Sequence, residues 1–156
     1  MAEKPLVYMR FRPAWTFIDG IREFGHFFCR RTFAAPDVAE RATVVLQEAI
    51  ENAIKYSSDS PSDELELSLG SDGHRLDISV TSTPDPRHLA ALRDELKLLT
   101  EKSPEEAYLA AFERASGDGD APARLGLARI RYEGKVDLSL VEMPDGRITL
   151  SARGEL

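Results

Sequence analysis

The sequence predicts an α/β (α+β) two-layer sandwich: a mixed, mostly antiparallel sheet with helices packed on one face. Three observations predict it. Short segments such as Glu64 to Leu69 and Arg75 to Val80 alternate apolar and polar residues, the pattern of half-buried strands. Longer segments repeat apolar residues at helical spacing, as Trp15, Ile18, Ile21, Phe24, Phe27 and Phe28 do. The order is strand, two helices, two strands, a helical insert, one helix and two strands, which layers helices against a sheet.

Each element has its own signal. Leu6 to Phe11 alternates and ends before Pro13, so it reads as a first strand. A helix is expected from about Ala14 to Arg31. Pro36-Asp37 opens a second helix, with proline in the first turn. Its apolar stripe is Val38, Ala42, Val45, Leu46, Ala49, Ile50 and Ala53, and it ends near Tyr56, before the turn-rich run Ser57 to Ser62. Glu64 to Leu69 and Arg75 to Val80 form a hairpin around Gly70-Ser71-Asp72-Gly73. Its alternation of Glu64, Glu66 and Ser68 with Leu65, Leu67 and Leu69 predicts one solvated face.

A loop from Thr81 to Pro86 carries two prolines. Leu89, Leu92, Leu96 and Leu99 then mark one face of a long helical stretch. Ser103-Pro104-Glu105-Glu106 restarts a helix with a capping serine, a proline and two acids in the first turn. Ser116 to Asp120 reads as a flexible break. A short helix from about Arg124 to Tyr132 precedes a final hairpin, Val136 to Met143 and Arg147 to Ala152, turning at Pro144-Asp145-Gly146.

Bulk composition narrows the function. The 156 residues fit one domain with a real core, and 42% apolar with 30% charged residues is ordinary for a globular protein. A net charge of -7 argues against direct nucleic-acid binding, which needs a basic face. Arg10, Arg12, Arg22, Arg30 and Arg31 form a local basic patch all the same. The single cysteine, Cys29, lies in an apolar run and reads as a buried thiol in a reducing compartment. The N-terminus lacks the marks of a signal peptide and no apolar run reaches membrane-spanning length, so a cytoplasmic protein is expected. His26, His74 and His88 lack metal-ligand spacing.

Two motifs carry chemistry. Glu48 and Asn52 lie four apart on the second helix, so a carboxylate and a carboxamide share one side of it. A carboxylate orients or deprotonates a nucleophile, and an amide oxygen suits Mg²⁺. The plainer reading is a solvated helix edge, but Asn52 borders the core stripe. In Ala123 to Ile130, Gly126 opens the last helix and lets backbone approach a ligand, with free N–H groups suited to phosphate. The plainer reading there is a tight helix start packing on the sheet.

In this order the motifs resemble those of the GHKL (Bergerat-fold) ATPases, and most of all the small anti-sigma-factor serine kinases. Their N-box of Glu, three residues, Asn-Ala is matched by Glu48 to Ala53. Their later Gly-Leu-Gly-Leu box is echoed by Arg124-Leu125-Gly126-Leu127. The resemblance covers about Leu6 to Ala152, as a single domain over 1–156 with a helical insert at about 87–120 where the family has its ATP lid. It implies ATP and Mg²⁺ as ligands, with Asn52 on the metal, Glu48 as general base or orienting the attacking group, and Gly126 and Leu127 near the phosphates. The family's Asp-X-Gly-X-Gly adenine loop is altered. Ser82 falls at the Asp position, Pro84 and Pro86 replace the glycines, and Asp85 is displaced by three residues. Proline has no N–H and a fixed φ. Arg124 stands at the first glycine of the later box.

The altered loop and helical insert imply a bacterial regulatory signalling protein with ATP binding weakened or lost. It would hold a protein partner such as a sigma factor or a STAS-domain regulator. The resemblance also implies a homodimer, for which the apolar first helix with Trp15, Phe24, Phe27 and Phe28 would supply the interface; the plainer reading of those residues is core packing. The retained Glu48 and Asn52 imply the alternative, an active ATP- and Mg²⁺-dependent serine/threonine kinase acting on a STAS-type partner.

Overall fold

The computed structural model describes residues 6–58, 63–115 and 121–155, with the backbone alone described at 115 and 121–124. The expected break at 116–120 lies outside the described residues. The elements run β1 (Val7–Phe11), a 3-10 turn (Trp15–Phe17), α1 (Ile18–Thr32), α2 (Pro36–Tyr56), β2 (Leu65–Ser71), β3 (Arg75–Ser82), α3 (Pro86–Thr100), α4 (Pro104–Ala115), α5 (Ala121–Gly134), β4 (Asp137–Glu142) and β5 (Ile148–Glu155).

The five strands form one sheet in the order β1-β2-β3-β5-β4. All four pairings are antiparallel, so no parallel pair accompanies them among the described strands. The connection from β3 passes through three helices to the far edge, and the β4–β5 hairpin then brings β5 back beside β3. Register follows the alternation. Leu65, Leu67, Leu69, Leu76, Ile78, Val80, Ile148, Leu150 and Ala152 are buried on the helix side. The other face carries Glu66, Ser68, Asp77, Ser79, Thr81 and Thr149, with the Thr81 and Thr149 hydroxyls 2.8 Å apart. A one-residue slip would exchange the two sets, so the leucines fix the register.

α2 is the central helix. Val38, Ala42, Val45, Leu46, Ala49, Ile50 and Ile54 are all buried along it. Pro36 sits at its start, where a missing N–H costs nothing. α1 packs on α2 through Gly25, where a Cβ would run into the end of the buried Leu46 side chain and force it to shift. Cys29 is fully covered in the same layer, and burial pushes its thiol up to about 11.

The insert is helical, as its composition predicts. Asp85 caps α3 by accepting the Arg87 N–H at 2.9 Å, with Pro86 at the first position. Ser103 accepts the Glu106 N–H at 3.2 Å at the start of α4. Arg114 to Glu95 joins α4 to α3 at 3.2 Å. Arg131 of α5 donates to the carbonyl oxygens of Leu99 and Lys102, tying the end of α3 down. Several boundaries differ from expectation: α1 begins at Ile18 after a 3-10 turn, α3 at Pro86, and β5 runs on to Glu155. β3 runs through Thr81 and Ser82, because both pair with β5. α5 begins at Ala121 rather than near Arg124. No helix among the described residues is long and apolar enough to cross a membrane.

Two glycines of α1 make opposite predictions. Gly25→Ala should destabilise by about 1–3 kcal/mol through overpacking against Leu46. Gly20, with nothing within 4 Å of its Cβ position, should become about 1 kcal/mol more stable as alanine. Urea unfolding of the two variants checks both signs.

Candidate functional site

While the apolar stripe of α2 faces the sheet, Glu48 and Asn52 stand one turn apart on the flank that meets α5. They are 7% and 6% exposed. A carboxylate buried this far needs a partner. Arg129 supplies it, with Nη1 2.6 Å from Glu48 Oε1. The same guanidinium reaches Glu133 Oε2 at 3.1 Å, and the Tyr108 hydroxyl donates to Glu133 Oε1 at 3.4 Å.

Gly126 sets how closely α5 lies on this pair. A Cβ there would fall 2.7 Å from Glu48 Oε2 and 3.2 Å from Asn52 Nδ2. The helix backbone therefore covers both polar ends. Asn52 Nδ2 is buried with no hydrogen-bond partner among the described residues. Such an orphaned donor costs about 1–3 kcal/mol.

Burial pushes the Glu48 carboxyl above the usual carboxylate range, and Arg129 pulls it only partly back. Glu133 and Glu48 together hold the Arg129 guanidinium above its ordinary value, against the opposing effect of burial. The arrangement is an ion pair closed under a helix, with the carboxylate already occupied by a cation of the chain itself.

The structure gathers Glu48, Asn52 and Gly126 into one place. Gly126 is not at the helix start but in the second turn of α5, beyond the first four N–H groups that a helix leaves free. Leu127 is fully buried in the core. The Arg124 side chain lies outside the described residues. Ser82 is 5% exposed and extends the core-facing row of β3.

The loop after Ser82 is pinned to the end of α2. The Ser58 N–H donates to the Thr83 carbonyl and the Asp85 N–H to the Tyr56 carbonyl, each at 2.8 Å, and Ser57 bridges Pro84. Asp85 is spent on capping α3 and on an ion pair with Arg87 at 2.6 Å, which holds its carboxyl down at about 2.

Mg²⁺ binds as a near-octahedral ion that keeps several waters. With Asn52 covered and Gly126 against its amide, the site as it stands does not fit a hydrated ion bridging to phosphates.

Arg129 and Glu133 were not singled out from the sequence. Their signal was present: Gly126, Arg129 and Glu133 recur at i, i+3 and i+7, one stripe of a helix. A lone arginine three residues after a glycine does not announce which helix it will meet.

No protein-family model matches the chain, and no curated protein matches it by sequence. Among solved structures, the chain is similar to one in the SiaB-SiaC complex from Pseudomonas aeruginosa. The TM-score is 0.66 and the identity 20%, over 98% of this chain and 91% of that one. At that identity the likeness is one of fold.

Removing the cation tests the closed pair. Arg129→Ala should cost about 2 kcal/mol near neutral pH; the discount from a fully buried pair reflects its partial exposure. Burial raises the folded Glu48 pKa above its unfolded value, so protonation of Glu48 favours the fold. That contribution is complete below the unfolded pKa and lost as pH rises through the folded one. The cost of Arg129→Ala should therefore shrink on acidification and largely vanish in Glu48→Gln/Arg129→Ala, as read by urea unfolding across pH.

Proposed function

We propose that this chain is a regulatory signalling protein that acts by binding a protein partner and works without a tightly bound nucleotide. The observation that carries the reading is the closure of Glu48 and Asn52 beneath Gly126, with Arg129 on the carboxylate. A general base must reach its substrate's proton with a free oxygen. Here one oxygen of Glu48 holds Arg129 and the other lies against α5. The pinned loop from Thr83 to Asp85 supports the same reading, since a backbone tied to Tyr56 and Ser58 is poorly placed to read adenine. The structural neighbour is a chain of a two-protein complex, which accords with partner binding. The resemblance to anti-sigma-factor GHKL domains makes a sigma factor or a STAS-domain regulator the partner class to try first, in the cytoplasm.

One observation favours a second reading, an ATP- and Mg²⁺-dependent serine/threonine kinase of such a partner. The unpartnered Asn52 Nδ2 is a cost with no return in the closed arrangement. An α5 that moved off α2 would expose both Glu48 and Asn52 together.

Calorimetric titration separates the two. The partner-binding reading expects no saturable heat with ATP and Mg²⁺ at millimolar concentration, for the natural chain and for Asn52→Ala alike. Tight binding lost in Asn52→Ala would overturn it in favour of the kinase.

A further inference from the structure

The basic patch near the N-terminus is divided by the fold. Arg10 is taken up by Glu64 at 2.7 Å and Glu66 at 3.6 Å, and Arg22 by Glu51 at 2.7 Å. Arg12 and Arg31 have no carboxylate partner among the described residues; the described contact of Arg31 is with the Phe27 ring, 5.1 Å from its centroid. Between these two cations runs an apolar furrow. β1 is the edge strand, so the row of Met9 and Phe11 has no strand beyond it among the described residues. A concavity of about 580 Å³ opens there, walled by Met9, Phe11, Phe17 and Phe24, with Gly20 on its floor and Arg12 at its rim. Phe27, 61% exposed, continues the same helical stripe toward Arg31. A rise of 1.5 Å per residue puts Arg31 roughly 20 Å from Phe17.

Gly20 is the informative residue. It costs about 1 kcal/mol in a helix relative to alanine. Nothing among the described residues lies within 4 Å of its Cβ position, so packing against them does not require it. A glycine that leaves a helix backbone bare at the floor of an exposed aromatic furrow suits something arriving from outside. Aromatic side chains and arginine are also the residue types enriched at interfaces.

The geometry points to a docking site for an extended, acidic-apolar segment of a protein partner. It rests on the partner-binding reading above and names the surface and the chemistry that would serve it. The segment adds to the open edge of β1 and places alternate apolar side chains over Gly20 between Phe17 and Phe24. Its carboxylates meet Arg12 and Arg31. A strand advances about 3.3 Å per residue, so about six residues cover the roughly 20 Å from Phe17 to Arg31. A second copy of the chain is the poorer occupant. An isologous contact sets the same patch against itself, and the charged groups along the furrow are mostly cations, Arg12, Arg30 and Arg31 against Glu23.

Trp15, the only tryptophan and 59% exposed two residues before Phe17, reports on the furrow directly. The probe is a synthetic peptide alternating leucine with glutamate, and its leucine-lysine counterpart is the control. The acidic peptide should shift Trp15 emission to the blue and saturate, with the basic one at least tenfold weaker. Gly20→Leu should unfold no earlier than the natural chain yet lose peptide binding at least tenfold. Arg12→Glu/Arg31→Glu should reverse the preference between the peptides. Equal affinity for both peptides, no saturable shift, or binding unchanged in Gly20→Leu would each overturn the site. So would a sedimenting dimer that Gly20→Leu abolishes and the acidic peptide does not dissociate, which would make a second copy the occupant. Emission shifts with anionic phosphatidylserine vesicles but not with peptide would make it a membrane. Asn52-dependent ATP binding would sink the nucleotide-independent reading and leave these peptide outcomes as they are.

Discussion

The contact between α2 and α5 organises the functional half of this molecule. α2 lies over the sheet with α1 on one flank and α5 on the other, and each flank is set by a glycine. On the α1 side, Gly25 meets Leu46, an ordinary apolar contact. On the α5 side, Gly126 meets a carboxylate and an amide, and the ion pair of Glu48 with Arg129 makes that contact tolerable. Buried ion pairs contribute little net stability compared with apolar replacements, but they strongly penalise any arrangement that breaks them. The pair thus fixes where α5 lies more than it strengthens the fold. α3 and α4 inherit that placement, because Arg131 of α5 holds the carbonyl oxygens at the end of α3 and Tyr132 stacks on Tyr108 of α4 at 4.9 Å.

Much of the architecture was legible because it is written locally. The leucines of β2, the turn between β2 and β3 and the apolar stripe of α2 each act over a few residues, and the expected elements appear where those signals lie. Pro36, Pro86 and Pro104 each stand at a helix start. Pro86 was read as part of a loop, but with Asp85 as cap it begins α3. The continuation of β3 through Ser82 was missed because it depends on β5, some 65 residues later in the chain. Sheet neighbours are tertiary facts, and alternation alone does not say which strands meet or in which direction.

The candidate site divides in the same way. Glu48 and Asn52 announce themselves by spacing within one helix, and their burial follows from their position beside the core stripe. Arg129 has no such signal relative to Glu48, being 81 residues away. Gly126 was legible as a place of close approach, but what it approaches is the chain's own carboxylate. Glycine permits proximity without specifying the neighbour. The loop from Thr83 to Asp85 carries Pro84 where a glycine-rich turn would have a glycine, and its backbone is bonded to Tyr56 and Ser58.

The strand order has a consequence for how such a chain can diversify. β3 and β5 are hydrogen-bonded neighbours, yet α3, α4, α5 and β4 all intervene between them in sequence. The helices α3 and α4 leave and return without interrupting any strand pairing. Closing a longer loop costs only about 0.6 kcal/mol per doubling of its length. A lineage could lengthen or shorten the joints of that stretch while the sheet and α2 stay as they are, so long as core side chains such as Leu92, Leu99 and Ala111 are replaced in kind. The molecule is thus built as a frame of sheet and α2 with one stretch, α3 and α4, whose joints can change length without breaking a strand pairing.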